Sequence, residues 1–101
     1  MAARKYAPPR TWVADGGEWP AGPFAPDAPP YALVTAAIVE RYQAAVGRQS
    51  LRAVARAAGI DPTSLGRTLA GETVPDVHTL AVLESALDTE LWPRWPDRSA
   101  R

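Results

Sequence analysis

Residues 59–71 read GIDPTSLGRTLAG, and they decide the fold. A glycine at each end brackets a helix too short to be stable alone. Asp61 is placed to cap its N-terminus, and Pro62 takes the first helical position, where a missing N–H costs nothing. Leu65 and Leu69 face inward. Small polar side chains and Arg67 are left on the outer side. So bare an outer face implies a helix held from behind by its neighbours and open to something else in front.

Working outward, Ser50 caps a second short helix, 51–58, whose Leu51, Val54, Ala55 and Ala58 form one apolar stripe. Arg52 and Arg56 lie four apart on the opposite side, and Gly59 supplies the left-handed conformation that ends the helix. Two short helices that cross steeply need small residues at their closest approach. Ala55 provides one, while Ile60 and Leu65 wedge the pair at a fixed angle. Upstream, Val34, Ile38, Tyr42 and Ala45 follow the helical period from Ala32 to about Val46, and Gly47 is a stop. Downstream, Thr73-Val74-Pro75 is a loop and Asp76 caps a helix over 77–87, with Val77, Leu80, Leu83 and Leu87 on its core face. A turn at 89–92 brings Leu91 and Trp92 onto the bundle, and Pro93 stops it. Connections of two to five residues and no strand pattern predict an all-α bundle of four to five short helices.

The stretch SLRAVARAAGIDPTSLGRTLAGETVPDVHTLAVLESALDTELWP, residues 50–93, resembles the lambda-repressor/Cro-like (XRE) helix-turn-helix family. The resemblance covers roughly residues 33–92. It rests on the small residue, the turn glycine, the polar cap, SLGR before a helix-ending glycine, Pro75 with Thr79-Leu80, and the final ALDTELW. In that family the third helix lies in the DNA major groove while the second crosses the backbone. The resemblance implies base-facing positions at Pro62, Thr63, Gly66 and Arg67, with Ser64 at the edge toward phosphate. Arg67 is the strongest base reader, since its guanidinium can pair with guanine O6 and N7. The N-terminus of the second helix is expected to offer amides to a phosphate beside Gln49 and Ser50, with Arg52, Arg48 and Arg56 as neutralisers. The implied partner is double-stranded DNA, bound as a homodimer or together with a protein partner.

Four positions depart from the family pattern. Gly66 costs a helix interior roughly 1 kcal/mol relative to alanine. Thr68 stands where an apolar residue usually packs, Pro62 offers no base-edge hydrogen bond, and Glu72 opens a loop often placed near phosphate. Together they predict modest DNA affinity per domain.

Net charge is zero, but it is unevenly distributed. Residues 41–67 hold five arginines (41, 48, 52, 56, 67) against Asp61, a balance of +4. Residues 72–90 hold five carboxylates (Glu72, Asp76, Glu84, Asp88, Glu90) and no Lys or Arg. Such polarity suits a nucleic-acid contact on one side. The bland alternatives are an ion pair of Arg67 with Asp61 or Glu72, and of Arg56 with a carboxylate of the fourth helix. The carboxylates at 84, 88 and 90 read as a solvated face.

Three parts follow: an arm over 1–30, a helix-turn-helix domain over 31–95 and a tail over 96–101. The arm holds seven prolines and three glycines, which exclude a helix or central strand, so an extended chain is expected. Tyr6, Trp12, Trp19 and Phe24 interleave with the prolines, unlike a disordered linker. The arm either lays its aromatics on the helices or docks on another protein. Trp12, Trp19, Trp92 and Trp95 are accordingly the candidate partner or dimer surface. A protein-interaction module, antitoxin-like or an adaptor, is thus the alternative to a DNA-binding transcriptional regulator.

Other chemistry finds no support. Cysteine is absent, His78 has no second ligand type nearby, and no phosphate loop, nucleophile elbow or zinc spacing occurs. No enzyme, metal, cofactor or small-molecule substrate is expected. With no apolar run of about 18 residues, a cytoplasmic protein without membrane contact is the expectation.

Overall fold

Three polar N-caps start three of the four helices. In the computed structural model, which describes residues 6–94, the helices are α1 (Pro30–Val46), α2 (Leu51–Ala58), α3 (Pro62–Leu69) and α4 (Val77–Leu87). Ser50, Asp61 and Asp76 each accept a hydrogen bond from the backbone N–H three residues on, at 3.0, 2.8 and 2.7 Å. α1 begins two residues before its apolar period does, because Pro30 can occupy a first-turn position at no hydrogen-bond cost.

One core joins the four helices. Ile38 and Tyr42 of α1, Val54 and Ala55 of α2, Leu65 of α3, and Leu80 and Leu83 of α4 are buried together with Leu91. α1 is buried on more than one side: Ala32, Ala36 and Val39 are each 0% exposed yet lie outside that cluster. A 3-10 turn, Pro9–Trp12, packs on α1. The buried Thr35 hydroxyl donates to Tyr31 O at 2.7 Å, which satisfies it inside the helix.

The expectation of an all-α fold with an extended arm is corrected by the arm itself. Residues Val13–Glu18 form β1 and Gly22–Phe24 form β2, an antiparallel pair, so the fold is mixed α and β. Val13 pairs with Phe24 and Glu18 with Gly22, with a register irregularity between. β1 therefore bulges, and Gly16 inside it has φ +81°. Nothing in VADGGE alternates apolar with polar, so period-two patterning could not reveal this strand. Anchors on the helices hold it instead: Trp12 Nε1 donates to the Tyr31 hydroxyl at 3.0 Å, and that hydroxyl donates to Ala7 O at 2.8 Å. Tyr6 and Tyr31 stack with ring centres 4.4 Å apart. From Tyr6 onward, the arm lies back on its own domain.

Glu84 corrects a second expectation. It is half-buried, and its Oε2 accepts from the backbone N–H of Leu91 at 2.7 Å and of Trp92 at 3.0 Å. This carboxylate pins the chain after α4 so that Leu91 reaches the core. No helix among the described residues is long and apolar enough to cross a membrane.

Candidate nucleic-acid interface

Both helices of the candidate interface are rigidly ended. Gly59 takes φ +72° and its N–H donates to Arg56 O, while Ile60 N–H donates to Ala55 O at 2.9 Å. This doubly bonded left-handed turn is the compact link between α2 and α3. α3 ends in the same way at Gly71, φ +77°. There Gly71 N–H donates to Thr68 O and Glu72 N–H to Arg67 O.

Burial divides each helix in two. In α3, Leu65 and Thr68 are buried, whereas Thr63, Ser64 and Arg67 are exposed. Those three stand at i, i+1 and i+4, a spacing that shares one helix face. In α2, Val54 and Ala55 are buried while Arg52 and Arg56 are exposed. Arg48, Gln49 and Ser50, just before α2, are exposed as well. The Ser50 hydroxyl is occupied by its cap bond to Ala53 N–H, and the Asp61 carboxylate by Ser64 N–H.

Two proposed base-facing positions are less open. Pro62 is half-buried, and so is Gly66. A Cβ at Gly66 would point at Leu51 Cδ1, 3.7 Å away, which is toward α2. Thr68, the polar residue at a usual apolar position, bonds its hydroxyl to that of Thr73 at 3.1 Å. Burial of this hydroxyl is thereby paid in hydrogen bonding.

Charge pairing separates the arginines. Glu72 faces Arg10 of the arm at 3.7 Å, and Arg94 pairs with Glu90 at 3.5 Å. Among the described residues, Arg48, Arg52, Arg56 and Arg67 take part in no ion pair, so the alternative pairings to Asp61, Glu72 or α4 are not formed. Ser64 and Arg67 instead border a 260 Å³ cleft closed by Thr73, Asp76 and Thr79. Backbone and hydroxyl bonds from Thr79 hold the Asp76 carboxyl below its ordinary range, with a smaller contribution from His78, so it is ionised at the cleft edge.

The described tryptophans differ in exposure. Trp12 and Trp19 are half-buried with their N–H groups bonded inside the chain. Trp92 is 49% exposed. Trp95 lies outside the described residues. Sequence reasoning missed Arg10 and gave Trp19 only as part of a partner or dimer surface; the arm brings both to the end of α3. Tryptophan amid prolines was the one available signal, and it does not say which helix end is met.

No family model matches the chain, and no curated protein or solved structure matches it either.

Proposed function

We propose that this protein is a sequence-specific duplex-DNA-binding regulator whose α3 enters the major groove. The observation that supports the reading is a pair of short capped helices joined by a tight left-handed turn, with Thr63, Ser64, Arg67, Arg52 and Arg56 all on their exposed sides. A guanidinium exposed on the second helix suits bidentate pairing with guanine. Arg48 and Arg52, at the start of the first, suit phosphate. Two copies on a pseudo-palindrome would space their half-sites by about one helical turn.

Selection of bound duplexes from a random library at physiological salt tests this with wild type and Arg67→Ala side by side. A two-fold motif that Arg67→Ala blurs at one G·C position per half-site is the expected result. Arg52→Ala should lower the slope of log affinity against log salt by about one unit. No enrichment by folded wild type overturns the reading.

One observation favours the interaction-module reading: Val77 is 83% exposed beside the half-exposed Trp92, and both line a 340 Å³ apolar cleft with Val34, Ile38 and Leu80. Under that reading Val77→Asp abolishes self-association or partner binding in sedimentation while Arg67→Ala leaves it intact.

A further inference from the structure

The eight residues of α3 are too few to hold a helix by themselves, so its last turn takes its geometry from what is bonded to it. The final carbonyls of a helix have no partner within the helix. Here nearly all find one outside it. Arg67 O accepts from Glu72 N–H at 2.9 Å and Thr68 O from Gly71 N–H at 3.0 Å. Neither bond reaches Leu69 O, the next carbonyl along. That oxygen accepts from Trp19 Nε1 of the arm at 2.9 Å, fifty residues away in sequence. One residue past the helix cap, Gly71 O accepts from Arg10 N–H at 3.0 Å, and the Arg10 guanidinium faces Glu72.

The Trp19 indole is itself fixed. Its ring lies on the bare face of Gly71 and meets Phe24 edge-on, with ring centres 6.3 Å apart. Pro20, next in the chain, is buried. The hairpin is thus a brace whose single indole N–H is spent on one backbone oxygen of α3. That oxygen belongs to the turn that carries Arg67.

We infer that Trp19 is a positioning residue: it fixes the last turn of α3, and through that turn sets how sharply Arg67 discriminates between bases. The inference rests on the DNA reading above. Base pairing by a guanidinium needs placement within about half an ångström, whereas a phosphate contact by a long flexible arginine does not. Loosening the turn therefore degrades discrimination and leaves the backbone contacts of Arg48 and Arg52 in place.

Trp19→Phe tests the inference, because it keeps an aromatic ring beside Gly71 while removing the N–H, together with the indole's second ring. Two measurements are made on full-length protein. Amide hydrogen exchange at residues 70–72, relative to Ile38 and Val39 of α1, should accelerate by at least about tenfold. Affinities for the selected duplex, and for the same duplex with the Arg67-read G·C changed to A·T, should converge by at least about fivefold, with an unchanged salt slope. A merely structural role would lower the folded fraction and weaken both duplexes equally. That outcome overturns the inference, as does unchanged exchange or unchanged discrimination in Trp19→Phe. Failure of wild type to enrich any duplex overturns the DNA reading and removes this inference with it, whatever the exchange shows. Trp19→Ala, melted alongside, shows how much of the domain's stability the whole indole supplies.

Discussion

Trp19 occupies the space where a side chain at Gly71 would begin: a Cβ on Gly71 would stand 2.6 Å from Trp19 Cε2 and 2.9 Å from Arg10 Cβ. Glycine at 71 is thus demanded twice, by contact and by φ +77°. Gly71→Ala should cost about 2–4 kcal/mol, the sum of left-handed strain and overpacking. Thermal melts followed by near-ultraviolet circular dichroism check this, with a drop of roughly 10 °C or more expected for a domain of this size. A drop below a few degrees would show that the hairpin yields easily.

Gly66→Ala should behave in the opposite way. Its new methyl meets Leu51 Cδ1 at 3.7 Å, an ordinary contact, in a helix interior where alanine is favoured by about 1 kcal/mol. The variant is expected to melt several degrees higher. Because the methyl points at α2, its selected DNA motif should equal that of wild type. A lost or altered motif would mean that position 66 does approach the bases.

Acid should weaken the start of α4 before it weakens the bundle. Bonds from Thr79 stabilise the ionised Asp76 in the folded chain and depress its pKa. A depressed carboxyl contributes stability above its unfolded pKa, and that contribution is lost as pH falls through the folded value. Asp76→Asn keeps the cap without the charge. Its melting temperature should therefore fall less than that of wild type between neutral pH and about pH 3. Parallel curves would show that the cap does not depend on charge.

Glu84 and Glu90 make a matched test of two carboxylates on neighbouring turns. Glu84 holds the amides of Leu91 and Trp92, so Glu84→Ala should cost about 1–3 kcal/mol. Glu90 pairs with Arg94 in the open, both side chains about three-quarters exposed, so Glu90→Ala should change stability by less than about 0.5 kcal/mol. Urea unfolding resolves the two as a shifted midpoint at unchanged slope for Glu84→Ala and none for Glu90→Ala. Equal effects would remove the Glu84 clasp from the account.

Local chemistry determined the four helices. Ser50, Asp61 and Asp76 cap α2, α3 and α4, and Gly59 and Gly71 end two of them, because capping and left-handed turns depend on residues within a few positions. The exposed set Thr63, Ser64 and Arg67 was legible for the same reason: helical spacing places side chains on a face without reference to the rest of the chain. The hairpin was not legible. β1 holds two adjacent glycines and no alternation, and the hairpin is held by Trp12 and Trp19, whose indole N–H groups reach Tyr31 and Leu69 far away in sequence. Glu84 was misjudged on the same ground, since spacing cannot say that a carboxylate read as solvated meets two backbone amides. Short-range caps and periods are written into the order of residues. The partner of a side chain fifty residues away is chosen only when packing brings the two together.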